Sequence, residues 1–141
     1  MDSSVQANLS FLGTDILTVN FTSVRAYKNE VPIDFSINAK VFYPKKANDQ
    51  FKIIMEVGLK AEGFFELVVA AVGHFKLDKS LTSELQNSFV NVNAPAIMFP
   101  YVRSFITTVT SNVGQNIVPI IIPAQFFSGN LEEMTSYPES E

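Results

Sequence analysis

Cysteine is absent from the 141 residues and histidine occurs once. Without thiols the chain has neither a disulfide scaffold nor thiolate chemistry, a composition that fits a reducing compartment. His74 stands alone in an apolar segment, where an imidazole is read as facing solvent or a hydrogen-bond partner and not as a base or ligand. No cluster of titratable groups marks a catalytic or metal site. Six glycines form no phosphate-cradling loop. No catalytic residue, metal or cofactor is therefore expected, and no enzyme. Positive charge is sparse, ten Lys and Arg against fourteen Asp and Glu for a net charge of −4. Nothing basic extends beyond Lys45 and Lys46, which argues against nucleic acid as a partner. "MDSSVQANLS" carries neither a basic n-region nor an apolar h-region, so the protein is expected to be cytoplasmic, and the sequons at Asn8 and Asn20 to stay unmodified.

Apolar residues are plentiful, at 47% of the chain against 17% charged, with thirteen phenylalanines. One domain, residues 1–134, is expected, followed by an acidic, disordered tail over residues 135–141. Each large apolar side chain is worth about 1.5–3 kcal/mol when buried, so a surplus of them marks an oligomer interface or a binding groove. The first half is written in period two. Leu17, Val19 and Phe21 alternate with polar residues, as do Ile33, Phe35, Ile37, Ala39 and Val41, then Phe51, Ile53, Met55, Val57 and Leu59. "YPKKAND" links the second and third of these strands, and Glu62-Gly63 turns the third into a fourth. That fourth strand, "FFELVVAAVGHFKL", is apolar on both faces from Leu67 to Val72, so both faces need cover. Short connections and late helices predict an α+β fold, an antiparallel meander of four strands with C-terminal helices on one face.

Ser80 or Thr82 caps a short helix, and Asn93 is placed to cap a longer one over "NAPAIMFPYVRSFITTVTSNVG". Met98, Val102, Phe105, Val109 and Val113 form its apolar stripe, which Ile97, Tyr101 and Ile106 widen past the arc one sheet covers. The long helix is too interrupted by Pro100, Arg103 and its hydroxyl residues to span a membrane. Pro100 predicts a kink or break, Gly114 an end, and Arg103 a structural guanidinium that reaches water or a carboxylate. Pro119 and Pro123 then stiffen an apolar loop, Ile117 to Phe127. A short helix from Pro123 would set Phe127, Leu131 and Met134 on one side.

At Phe99, Pro100, Tyr101 and Arg103 the long segment is similar to the Asn-hydrophobic-Leu-Phe-Pro-Tyr-Ala-Arg signature of the SecB export-chaperone family. "IVPIIIPAQFF" resembles the family's two-proline stretch. The resemblance implies a homotetramer, a dimer of dimers with the long helices between sheets. Met98, Tyr101, Val102, Phe105 and Val109 are then interface candidates. It implies an ATP-independent holdase for unfolded or partly folded client proteins, acting in protein export with SecA as partner. The client groove would be lined by Ile33, Phe35, Ile37, Ile120, Ile122 and Phe126. Thr18 and Thr22 stand where SecA-docking members present carboxylates, which leaves a chaperone dedicated to one client, such as an antitoxin, as an alternative. From a different class, the grease would also suit a carrier of a small apolar ligand.

Overall fold

The structure is a computed structural model that describes residues 8–28, 30–117, 119–122, 125 and 127–137. Four strands run β1 (Leu9–Ser23), β2 (Asp34–Phe42), β3 (Gln50–Ala61) and β4 (Phe65–Leu77). The short helix α1 (Ser83–Ser88), a π-helical turn (Phe89–Asn93) and the helix α2 (Ala94–Thr110) follow without interruption, and β5 (Glu132–Glu133) comes last. The sheet order is β1-β4-β3-β2-β5. The first four strands form the expected antiparallel meander, and β5 adds to β2 in parallel. No helix among the described residues is long and apolar enough to cross a membrane.

The period-two rows fall where alternation requires. Phe51, Ile53, Met55, Val57 and Leu59 pair with Phe75, Gly73, Ala71, Val69 and Leu67 on the face that α2 covers, and all ten are buried. Gly73 has a packing reason: a Cβ there would lie 2.9 Å from Met98 Sδ and 3.0 Å from Phe75 Cε2. Its missing side chain lets the helix seat against the sheet. Phe51 and Phe75 stack near-parallel with centroids 5.2 Å apart, and Phe11 lies 5.2 Å from Phe75 on the other side.

β1 is longer than its alternation implied and is irregular. Its register with β4 shifts between Phe11 and Gly13 and again between Ile16 and Thr18, so Leu12 and Leu17 are unpaired bulge residues. Each bulge flips the alternation by one residue. Ile16, not Leu17, therefore shares the helix-facing row with Val19 and Phe21. On the opposite face Val68, Ala70 and Val72 of β4 lie between Ile54, Glu56 and Gly58 of β3 and Asp15, Thr18 and Asn20 of β1. Sequence alone demanded full cover on that side; polar cross-strand neighbours supply part of it, and only Val72 of the three is fully buried.

Thr82 caps α1, its hydroxyl accepting from Leu85 N at 3.3 Å. Asn93 caps nothing, because the chain enters α2 already helical through the π turn. Pro100 sits inside α2 without breaking it. It leaves only the Ala96 carbonyl without its intrahelical donor, one bond in a helix held mainly by tertiary packing. The helix stops at Thr110, before Gly114. Hydroxyls and an amide do the stopping: Thr108 donates to Ser104 O, Thr110 to Ile106 O, Ser111 to Thr107 O and Asn112 to Thr108 O. The contacts to Thr107 O and Thr108 O, with Asn112 N donating to Val109 O at 3.0 Å, satisfy carbonyls of the last turn without a left-handed cap. No helix follows among the described residues from 125 to 137; Leu131 and Met134 flank the strand β5 instead. Proline stiffening and the Ser128-Gly129-Asn130 turn, with Gly129 at φ +77°, outweigh the apolar spacing there.

Candidate functional site

Among the described residues the open apolar surface is concentrated in two places. The first is β1, a sheet edge whose outer side pairs with no other described strand. Leu12 is 55% exposed there, Leu17 43%, Val19 42% and Ile16 38%. Tyr101 of α2, 56% exposed, adjoins this strand with its ring 5.1 Å from Phe11. A long, apolar, unpaired edge is a template for another chain. Of the five interface candidates, Met98 and Val102 are wholly buried within the chain's own core, so they have no surface left for a second copy. Phe105 and Val109 pack partly on the same core, and Tyr101 alone stays open. The stripe was read correctly as apolar, but most of its arc is spent on the sheet.

The second place is the opposite edge. Phe35, Ile37, Ala39 and Val41 face the helix side opposite Leu59, Val57, Met55 and Ile53. Cover falls along the row, from Val41 at 3% exposure to Phe35 at 37%. At the uncovered end the two-proline loop meets the connection between β1 and β2. Ile33 and Ile120 both pack on a small second cluster of Tyr27, Ala61, Phe65 and Ile117. Tyr27 holds that connection with an O–H donated to Val31 O at 2.6 Å. Prolines deny the loop a strand ladder, and threonines of α2 substitute for one. Thr107 Oγ1 donates to Ile120 O, and Ile120 N donates to Thr110 Oγ1, each at 2.8 Å.

This fixes which groove candidates meet. Ile33, Ile37 and Ile120 are half-buried against the core, Phe35 is open, and Ile122 is buried at 3% exposure. Ile122 therefore stabilises the loop and offers nothing to a ligand. Ile121 is the open member of its triplet, at 77% exposure, and was missed. The apolar triplet between two prolines carried a signal that went unused: an extended loop held at Ile120 and Ile122 presents Ile121 outward. Pro119 lies exposed on the loop; Pro123 and Phe126 lie outside the described residues. Arg103 lies half-buried with its guanidinium 5.9 Å over the Phe99 ring, a cation–π contact, and no carboxylate pairs with it among the described residues. His74 Nε2 and Asp15 Oδ2 are 2.8 Å apart on the face away from the helices.

Below β2 the C-terminal segment closes a shallow cleft of about 460 Å³ lined by Phe42, Tyr43, Lys45 and residues 133–137. Burial, then the charge of Glu133, raises the Tyr43 pKa; burial, then Asp15, raises that of Tyr137. Both phenols stay neutral at physiological pH. The segment is latched at its start by Asn91 of the π turn. Asn91 Oδ1 accepts from Leu131 N at 2.7 Å while its amide donates to Asn87 O at 2.8 Å. Sequence reading passed over Asn91 because a lone amide in a helical run has no spacing signature. Asn91→Ala is expected to strand the part-buried Leu131 N–H and cost about 1 kcal/mol, measured as a lower urea midpoint at unchanged m.

Comparison with known proteins agrees with this architecture. The profile of the family described as "Preprotein translocase subunit SecB" matches residues 14–126. The uncharacterized protein MJ0357 of Methanocaldococcus jannaschii is 34% identical over 122 residues, 84% of this chain and 69% of the relative. Among solved structures, the Mycobacterium tuberculosis Rv1957 SecB-like chaperone, in complex with a ChAD peptide from the Rv1956 HigA1 antitoxin, superimposes with a TM-score of 0.68. That match covers 87% of this chain and 91% of the other at 12% identity, a likeness of fold. With its family signature spanning the sheet, α2 and the two-proline loop, the chain belongs to the SecB family.

Proposed function

We propose that the protein is an ATP-independent holdase that keeps unfolded or partly folded client polypeptides from aggregating, working as a homotetramer. The observation that carries this is the open apolar strip at one end of the sheet, Phe35 beside a loop tied so that Ile121 faces out. An extended client can lay apolar side chains there and use the neighbouring β2 edge for backbone hydrogen bonds. Each contact is weak, so release is fast and retention comes from several sites on one assembly. The unpaired, apolar β1 edge supports self-association, and Tyr101 is the helix residue best placed to share it.

A chaperone dedicated to one client is favoured over a general export factor by the outward row of β1. Thr18 and Thr22 stand there where SecA-docking members of the family present carboxylates to the motor, and Asp15 is the one carboxylate of the row, held at 2.8 Å from His74. The solved SecB-like neighbour, bound to an antitoxin peptide, has a partner of that kind. A carrier of a small apolar ligand would need room between sheet and helix, and Met55, Met98, Val102 and Ile106 fill that interval at 0% exposure.

The test is dilution of a denatured client into buffer with rising amounts of the protein, followed by light scattering. Phe35→Ser with Ile121→Ser removes two exposed apolar contacts worth about 1 kcal/mol each, so roughly thirtyfold more protein should be needed for equal protection. Undiminished protection by a folded double variant would refute this placement of the client. Native mass spectrometry of the unaltered protein checks the tetramer independently.

A further inference from the structure

The β2 edge is already occupied in part by the chain itself. Lys40 and Val41 pair with Glu132 and Glu133, and Met134 N donates to Val41 O at 2.8 Å. Glu132 reaches Lys40 at 3.9 Å, and the Tyr137 ring lies 5.5 Å from Phe42 with the Lys52 ammonium 5.0 Å from it. Residues 132–137 thus do what an extended client would do: they add a strand to β2 and set an aromatic ring against the sheet. The fastening is slight. β5 is two residues long, its ion pair is exposed, and an open cleft of about 460 Å³ separates the segment from Tyr43 and Lys45. Asn91 holds Leu131 in place, and Gly129 lies just before it, so the segment can swing away without disturbing the helices.

Resting on the proposed function, we infer that residues 132–137 are an internal pseudo-client, a strap that competes with an extended client polypeptide for the β2 edge. Because Val41 gives its carbonyl to Met134, alternation directs the backbone groups of Phe35, Ile37 and Ala39 to the same open side. Residues 34–39 form an edge continuous with the strapped part and, among the described residues, pair with no strand on that side. A client strand that extends beyond this free length runs into β5 and must displace it. The favoured occupant alternates apolar residues toward Phe35 and Ile37 and places a carboxylate near Lys40, as Glu132 does. The strap thereby sets a threshold: brief contacts are rejected, and longer unfolded segments are retained.

The experiment uses the full chain and fluorescence anisotropy of a labelled, acidic-ended peptide of about ten residues alternating valine and serine. Met134→Pro with Tyr137→Ala removes the strap's donor and its ring without altering β2, and should tighten binding roughly tenfold. Adding Ala39→Pro to that variant should abolish the gain, since it removes an outward N–H while leaving the β2–β3 ladder intact. Amide exchange at Phe35, Ile37 and Ala39 should slow when peptide is added. Equal affinity of the unaltered and strap-released proteins, both folded by circular dichroism, overturns the strap alone and leaves the holdase standing. Absence of binding by both, with no protection of denatured clients, overturns the two together.

Discussion

Tyr101→Asp is expected to convert the associated protein into a smaller species, read as a fall in sedimentation coefficient and in native mass, with the circular dichroism unchanged. The position is chosen by the structure, since Tyr101 is 56% exposed whereas its stripe-mates Met98 and Val102 are 0% exposed in the core. A carboxylate there costs little in a lone subunit. In an interface made with the β1 edge it would have to be desolvated without a partner, at a cost of several kcal/mol. About 4 kcal/mol corresponds to roughly a thousandfold in a dissociation constant, enough to dissolve an assembly at micromolar concentration. Wild-type protein that is already monomeric at that concentration, or a variant that sediments unchanged, would remove the basis for shared β1 surfaces.

Phe75→Ala is expected to produce the largest loss of stability, about 3–5 kcal/mol. Phe75 is 1% exposed and stands between the rings of Phe51 and Phe11, each 5.2 Å away. Its ring also lies against Gly73, within reach of Met98. Deletion therefore opens a cavity at the contact between sheet and helix, and the rigid β-ladder around it cannot collapse to fill the space. Against a typical domain stability of about 5–15 kcal/mol, the variant should remain folded only marginally at ambient temperature. Urea denaturation with a lowered midpoint and unchanged m measures it; a change below about 1 kcal/mol would mean the aromatic stack contributes little. Because Phe11 carries Tyr101 on its other side, 5.1 Å away, the same substitution should also weaken self-association. A double-variant cycle between positions 75 and 101 would register that coupling.

How much of this was legible beforehand depends on how local the cause is. Strands β2, β3 and β4 were readable because alternation is enforced by one buried face, and each residue's side is set by its neighbours two away. β1 was only half readable, since its bulges come from pairing with β4: Gly13, at φ +124°, hints at the first, and nothing in "DILT" marks Leu17 as an extra residue. The helix was recognised, but its limits were not: a π turn fed it in, and back-bonding by Ser111 and Asn112 ended it. For the candidate site, the proline loop was legible as an apolar surplus, while Phe35 and Ile122 were named through the family resemblance, and the structure leaves Phe35 open and Ile122 buried. Sequence could not separate the two, because an isoleucine or phenylalanine looks the same whether it faces the core or the solvent.

The chain by itself determined an α+β meander with a greasy C-terminal half, because hydrophobic period and proline placement act over a few residues and need no knowledge of distant partners. Tertiary structure alone decided which apolar side chains remain open: Met98 and Ile122 are consumed by the core, while Tyr101, Ile121 and Phe35 are left for others. It also decided that residues 132–137 return to the β2 edge. Exposure and edge pairing are sums over elements far apart in sequence, so no local pattern can encode them.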